Sequence, residues 1–232
     1  MRIAYAALLA VPPAFAADFA AIKAGVMRAT GGVIAPDEVR ATAVESLFEV
    51  RVGTELMYVD ETGRYAMVEG HLVDLASRKD FTQARMDEIR AVRFSSLPLE
   101  HAIKIVRGKG SRVVALFEDP ECVYCQKVHK FLDAQTDVTI YAFPIPTTSS
   151  RPAAEAAWCA PDRAAAWTRL MTRGEATGAG GCATSIDAVI DWARARGING
   201  TPTLFFADGS RVDGAPDPRD LLAKLNTSRL SK

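Results

Sequence analysis

Two cysteines separated by two residues, shortly after an apolar run, constrain this chain more than any other feature of its sequence. Residues 112–117 form an apolar run of the kind found in strands that are covered on both faces. The residues from Cys122 to Ala134 suit a helix, and residues 138–143 predict a second buried strand. We therefore expect a βαβ unit whose helix begins at the cysteine pair.

The start of a helix changes the chemistry of a thiol placed there. Free backbone N–H groups and a partial positive charge favour the thiolate, so we expect Cys122 to be the more acidic thiol and the nucleophile. A thiolate attacks a disulfide through a mixed-disulfide intermediate, which Cys125, one turn deeper, can resolve. The alternatives are half of a zinc site and a static bridge. Zinc is disfavoured because Cys159 and Cys182 do not form a second closely spaced pair.

The N-terminal residues have the pattern of a secretory signal peptide. Arg2 is followed by apolar residues 3–11, and residues 14–16 form a small-x-small cleavage site, so we predict cleavage after about Ala16. A membrane anchor is disfavoured because the apolar run is short and is interrupted by two prolines. Export implies oxidising conditions, and sequence separation then favours the pairs Cys122–Cys125 and Cys159–Cys182.

Composition excludes two classes of partner. The 232 residues include 28 basic and 28 acidic side chains, so the chain has no overall field that would attract nucleic acid or an anionic membrane. The length allows one large or two modest domains.

The N-terminal third predicts a small, sheet-rich domain. A helix is expected over residues 18–30, and short β-rich runs broken by turn residues suggest an antiparallel meander at residues 47–52, 56–59, 65–68 and 72–75. Such a small sheet has little core of its own and favours dimerisation. A connecting helix around residues 85–90, a break at Pro98 and a short helix over residues 99–106 would lead into the second domain.

After the βαβ unit we predict inserted helices, a hairpin and a last helix. The helices fall within residues 152–173 and 186–196, and the hairpin joins residues 203–206 to 211–212. Asp217 would cap the last helix, with Pro218 in its first turn. Pro202 is predicted to be a cis-proline facing the cysteines, with the Thr201 backbone free to pair with an extended substrate.

These motifs together resemble the DsbC/DsbG family of periplasmic disulfide isomerases, and DsbC more closely. The matching stretches are residues 117–129, 141–144, 158–159 and 200–202, with echoes of the family's N-terminal sheet at residues 58–59 and 65–74. The resemblance implies an α+β dimerisation domain of cystatin-like type (17–78), a linker helix (79–100) and an α/β thioredoxin fold (101–232) with a helical insertion at about 150–196.

The resemblance also implies roles for single residues. Cys122 and Cys125 would be the redox-active pair. Substrate would be bound by Tyr124, Thr201 and Pro202. The insertion of the family carries a second, structural disulfide, which Cys159 and Cys182 match.

The sequence departs from the family and from thioredoxins proper near the motif. Val-Tyr stands between the cysteines where Gly-Tyr or Pro-Tyr is usual, so the balance of isomerase, reductase and oxidant stays open. Thioredoxins keep a buried acid on the preceding strand where Leu116 stands, so the Cys125 proton would need water or another group.

Three further expectations concern the side chains around the motif. The carboxylates of Glu118, Asp119 and Glu121 would raise a nearby thiol pKa unless solvent screens them, and Asp119 is read first as a turn or cap residue. His129 is expected on the helix surface, with electrostatic help to the thiolate as the alternative. Trp158, Trp167 and Trp192 are assigned to core packing.

The hypothesis is therefore a homodimeric, periplasmic thiol:disulfide isomerase, with chaperone activity, that acts on misfolded exported proteins. It would need no cofactor or metal, bind no nucleic acid, and be kept reduced by a DsbD-like membrane reductant. The rivals are a DsbG-like reductase of oxidised single cysteines and a non-redox dimeric holdase.

Overall fold

The structure, a computed structural model, describes residues 18–230, which form two compact units that divide after Met86. The predicted signal peptide lies outside the described residues. No helix of residues 18–230 is long and apolar enough to cross a membrane.

The first unit packs one helix on a four-stranded antiparallel sheet of order β1-β2-β3-β4. Its elements are α1 (Phe19–Ala29), β1 (Glu38–Ala41), β2 (Leu47–Val52), β3 (Glu55–Asp60) and β4 (Ala66–Val68). Ile22 and Val26 lie one helical turn apart on α1 and pack with Phe48, Val50 and Val59 of the sheet. The first three strands of the predicted meander are confirmed, but the run predicted at residues 72–75 lies outside this sheet, and the sequence did not predict β1.

A short hairpin and a helix complete this part of the chain. They are β5 (Val73–Asp74), β6 (Lys79–Asp80) and α2 (Phe81–Arg90). Within the first unit, Arg85 of α2 donates to Glu38 at 2.6 Å and to Glu49 at 3.0 Å. These ion pairs hold the start of α2 against the sheet.

The second unit is a five-stranded sheet of order β11-β10-β8-β9-β7 with helices on both faces. Its strands are β7 (Ile103–Arg107), β8 (Arg112–Glu118), β9 (Val138–Pro144), β10 (Thr203–Phe206) and β11 (Arg211–Asp213). Its helices are α3 (Val123–Asp133), α4 (Arg151–Trp158), α5 (Arg163–Arg173), α6 (Ile186–Arg194) and α7 (Pro218–Thr227). Strands β8 and β9 are parallel, which confirms the predicted βαβ unit.

The short helix predicted over residues 99–106 is wrong. Only Leu99–His101 form a 3-10 turn, and β7 follows, antiparallel to β9. Ile103 and Ile105 are buried while Lys104 is exposed, which is the alternation of an edge strand with one covered face.

Strand β8 is buried along its whole length and carries the motif at its end. Phe117 stacks on Phe143 with ring centroids 4.4 Å apart and on Trp192 at 5.5 Å. Since packed aromatic rings fix the strand end, the cysteine loop starts from a rigid point.

Candidate active site

Asp119 shapes the loop between β8 and α3. Its carboxylate accepts the backbone N–H of Glu121 at 2.8 Å and that of Thr147 at 2.9 Å. The expectation of a turn residue is confirmed, because this carboxylate closes the loop that delivers Cys122 to the start of α3.

Cys122 lies at the N-cap of α3 and is half-buried. Its sulfur accepts the backbone N–H of Cys125 at 3.3 Å and donates to the Thr201 carbonyl at 3.5 Å. The Thr201–Pro202 peptide bond is cis. The structure thus brings the cysteine pair and the proline loop together, as the sequence predicted.

Cys125 is fully buried, and both motif cysteines are free thiols. Burial raises the pKa of the Cys125 thiol strongly, since a thiolate there would be desolvated, and its hydrogen bond with Cys122 raises this pKa further. A hydrogen bond from the Thr201 side chain opposes the increase, and the charge of Glu118 adds to it. Cys125 therefore needs a route for its proton before it can act as a nucleophile.

The residues between the cysteines face solvent. Val123 is 59% and Tyr124 is 62% exposed, and the Lys127 ammonium lies 5.4 Å from the centroid of the Tyr124 ring. An exposed apolar pair beside a half-buried thiol offers a surface on which an unfolded chain can rest.

Two grooves flank the proline loop on the second unit. One, of about 340 Å³, is lined by residues including Asp119, Thr147, Ile190, Ile198 and Thr201. The other, of about 320 Å³, is more charged and is lined by residues including Arg90, Thr201, Arg211 and Asp213. Thr201, whose carbonyl accepts a hydrogen bond from Cys122, lines both grooves.

Cys159 and Cys182 form a disulfide with an S–S distance of 2.00 Å and a Cα–Cα distance of 5.6 Å. The bridge ties the C-cap of α4 to the segment before α6. It lies in the helical insertion and leaves the motif cysteines free.

The structure corrects the prediction for His129. This side chain is fully buried rather than on the helix surface, and its Nδ1 lies 2.9 Å and 3.1 Å from the two carboxylate oxygens of Glu118. Trp167 on α5 donates its indole N–H to the same carboxylate at 2.6 Å. Solvent therefore does not screen Glu118, and Trp167 does more than fill the core.

The remaining carboxylate of the motif faces outwards. Glu121 accepts a hydrogen bond from the Ser149 hydroxyl at 2.6 Å at an exposed position. Among residues 18–230, no group of three or more histidine, cysteine or acidic side chains is arranged to hold a metal ion.

Two family models cover most of the chain. One, described as a thioredoxin-like domain, matches residues 99–229, which is more than half of the sequence. The chain belongs to the thioredoxin-like family. The other, described as the disulfide bond isomerase protein N-terminal domain, matches residues 13–83. The two together confirm the predicted fold and the resemblance to DsbC.

Curated relatives and a solved structure agree with this assignment. The chain is 40% identical over 181 residues to a probable thiol:disulfide interchange protein DsbC of Bordetella pertussis, covering 77% of this chain and 64% of the relative. It is 25% identical over 221 residues to DsbC of Dickeya dadantii, covering 93% and 90%. A disulfide interchange protein of Neisseria gonorrhoeae aligns with a TM-score of 0.54 and 33% identity, over 58% of this chain and 100% of that one. The chain thus spans just under two thirds of the Bordetella relative's length.

Proposed function

We propose that this chain is an exported thiol:disulfide isomerase and reductase in which Cys122 attacks and Cys125 resolves. The observation that carries the proposal is the position of the Cys122 sulfur, half-buried at the N-terminus of α3 and between the Cys125 N–H and the Thr201 carbonyl. A helix N-terminus favours a thiolate at this position.

The order of the reaction follows from the different burial of the two thiols, since Cys122 is half-buried and Cys125 is fully buried. The Cys122 thiolate attacks one sulfur of a substrate disulfide, the S–S bond breaks, and the other substrate sulfur leaves as a thiolate. Isomerisation follows if a different substrate thiolate displaces Cys122. Reduction follows if Cys125 displaces the substrate and a Cys122–Cys125 disulfide forms.

Repeated reduction of substrates requires an electron donor. Each reduction leaves the motif oxidised, so two electrons must return to it before the next attack. A DsbD-like membrane reductant is the proposed donor. The redox-active cysteines replace a cofactor, and we place no metal in the cycle.

Substrate binding is assigned to the surface around the thiols. Tyr124 offers an exposed aromatic ring, and the backbone of Thr201, before Pro202, offers hydrogen-bonding groups to an extended chain. Misfolded exported proteins with wrong disulfides fit this surface because their apolar segments are exposed. The Cys159–Cys182 bridge has a structural role.

The first unit is the proposed dimerisation domain. Strand β4 lies at an edge of its sheet, all three of its residues are exposed, and Tyr65 and Leu75 are 66% and 88% exposed. Exposed apolar residues at an unpaired strand edge favour pairing with a second copy. Cleavage after about Ala16 would deliver the homodimer to the periplasm.

Cysteine substitutions test the proposed chemistry. Recovery of activity from a scrambled multi-disulfide protein should be abolished by Cys122→Ser. With Cys125→Ser, we expect mixed disulfides with substrate to accumulate, because the resolving thiol is gone. The variants should match the unsubstituted chain in circular dichroism. Reactivation by Cys122→Ser at the unsubstituted rate would refute the proposal.

The exposed apolar residues of the first unit favour a second candidate, a holdase without redox turnover. It predicts that Cys122→Ser still suppresses aggregation of an unfolded protein without cysteines. Light scattering together with the reactivation assay distinguishes the two, because a holdase without redox turnover would protect this client but would not reactivate a scrambled protein even with Cys122 present.

A further inference from the structure

A buried polar cluster lies directly behind the cysteine pair. Glu118 ends β8, His129 lies on α3 and Trp167 comes from α5, and all three side chains are fully buried. The Glu118 carboxylate receives the Trp167 indole N–H and lies against His129 Nδ1. Burying a carboxylate is expensive unless hydrogen bonds and charges compensate for lost water, so three separate elements have been brought together to hold this one.

The contact with Glu118 assigns the tautomer of His129. We take Glu118 as the ionised carboxylate, which accepts but does not donate, and therefore assign Nδ1 as the donor towards it. In the neutral imidazole, Nε2 then has a lone pair. Nε2 is buried and has no hydrogen-bond partner among the described residues. A buried nitrogen that is left without a partner costs free energy, and such exceptions in native proteins call for an explanation.

Cys125 lies one helical turn before His129. Positions i and i+4 of a helix share a face, and both side chains are buried on the core side of α3. The titratable groups around this point are Glu118 from β8 and Cys122 from the motif, both of which act on Cys125. From α5 the facing side chain is the uncharged indole of Trp167.

We propose that His129 is the proton acceptor for Cys125, with Glu118 orienting its ring and Trp167 holding Glu118 in place. The inference rests on the proposed function, since it concerns the step in which Cys125 resolves a mixed disulfide. Leu116 stands where thioredoxins keep a buried acid, but it is apolar and fully buried and cannot accept the Cys125 proton. His129 would be the acceptor that the sequence alone did not identify.

The step balances within the site. With both motif cysteines as thiols, Cys125 pairs with Cys122 and makes no hydrogen bond to His129 Nε2, so transfer requires the Cys125 thiol to turn towards His129 once Cys122 is held in the mixed disulfide. The Cys125 proton then moves to Nε2, and the Cys125 sulfur forms a bond to Cys122 as the bond from Cys122 to the substrate sulfur breaks. The substrate leaves as a thiolate, takes a proton from solvent, and has gained the electrons of that bond. The imidazolium is stabilised by the Glu118 carboxylate until it returns its proton, as in other pairs of a base and an orienting acid.

The test separates attack from resolution in the full mature chain. Reduced protein is mixed with excess Ellman's reagent, an aromatic disulfide that releases one coloured thiolate when Cys122 attacks and another when Cys125 resolves. With Cys125→Ser, only the first release should remain. Stopped-flow absorbance then gives a rate for each step in one experiment.

The informative variant is His129→Asn. The asparagine amide can still donate to Glu118 from the position of Nδ1 but offers no base at Nε2. We expect the second release to slow about 100-fold near neutral pH while the first is unchanged. The pH profile of the second release should lose the rise that marks deprotonation of a base and increase only as Cys125 ionises directly. His101→Asn, at a partly exposed histidine outside this cluster, is the matched control.

Glu118→Gln distinguishes a base from a simple charge effect. Loss of the negative charge alone would favour the Cys125 thiolate and speed the second release. Loss of support for the imidazolium would slow it, which is the result we expect. An unchanged or faster second release in Glu118→Gln would overturn the inference. So would a pH profile of the second release in His129→Asn that matches the profile of the unsubstituted chain.

A measurement on the unsubstituted chain does not depend on whether a variant folds. NMR of the His129 ring should show a titration at the same pH as the inflection in the second release, and a mismatch would overturn the inference. Failure of the proposed function looks different. In that case the chain would still react with Ellman's reagent in two steps but would not reactivate a scrambled protein.

Discussion

At the scale of single residues, Trp167 allows the cost of the buried cluster to be measured. Trp167→Phe keeps most of the ring but removes the indole N–H that Glu118 accepts at 2.6 Å. A buried carboxylate that loses a hydrogen bond costs about 1–3 kcal/mol, so the free energy of unfolding should fall by that amount beyond the cost of the lost volume. Trp158→Phe, at another buried tryptophan, gives the volume effect. If Trp167→Phe and Trp158→Phe lower the free energy of unfolding in urea by the same amount, Trp167 contributes to stability through packing alone.

Thr201 should control how long a mixed disulfide lasts. A hydrogen bond from its side chain lowers the pKa of Cys125, so Thr201→Val would raise this pKa further. A less acidic Cys125 gives up its proton less readily, so resolution should be slower. Trapped mixed disulfides should therefore persist several-fold longer, as measured by non-reducing electrophoresis after acid quenching. Equal trapping by both chains would contradict this prediction.

Residues that belong to local sequence patterns could be located from the sequence. Cys122, Cys125 and Pro202 were located because a cysteine pair between a buried strand and a helix, and a proline before another strand, are local patterns. The burial of His129 was not predicted because a helical position becomes core or surface according to what packs on it. Here the covering helix is α5, which begins more than thirty residues later in the chain.

Among the elements, the disulfide of the insertion has a measurable effect. Cys159 and Cys182 are separated by 23 positions, and closing a loop of this length contributes about 3 kcal/mol in the chain-entropy model. The double substitution of both cysteines by serine should lower the free energy of unfolding by that amount, because the unfolded chain regains freedom. The second release from Ellman's reagent should persist, since the motif lies elsewhere. A loss below about 1 kcal/mol would show that neighbouring helices already hold the insertion.

The last helix was predicted correctly, whereas two short strands were missed, for physical reasons. The last helix begins as predicted, with Asp217 accepting the backbone N–H of Arg219 and Pro218 in the first turn. Capping is a local interaction and is therefore visible in sequence. Strands β1 and β7 were missed because each is a short edge strand without a turn signal that links it to its partner, and it depends on that partner for its hydrogen bonds.

For the whole molecule, the proposal predicts that the first unit makes the chain an isomerase rather than a simple reductase. Isomerisation needs a surface that retains a substrate through several exchanges, whereas reduction needs only the thiols. A fragment starting at Asp80, which keeps α2 and its first-turn acceptor, should be a monomer by analytical ultracentrifugation. It should lose reactivation of a scrambled protein and keep reduction of a simple disulfide.

A point substitution tests the same idea without deleting a domain. Val68→Lys places a charge on the exposed edge strand β4, where its side chain is 65% exposed. A lysine on an unpaired edge disfavours strand pairing between copies but costs the folded unit little. We expect a monomer with lowered isomerisation and normal reduction. Val106→Lys, at an exposed position of the second unit, should behave as the unsubstituted chain. If the Val68→Lys monomer isomerises at the full rate, the thioredoxin-like domain is sufficient, and the chain acts as a monomer-competent exchange enzyme.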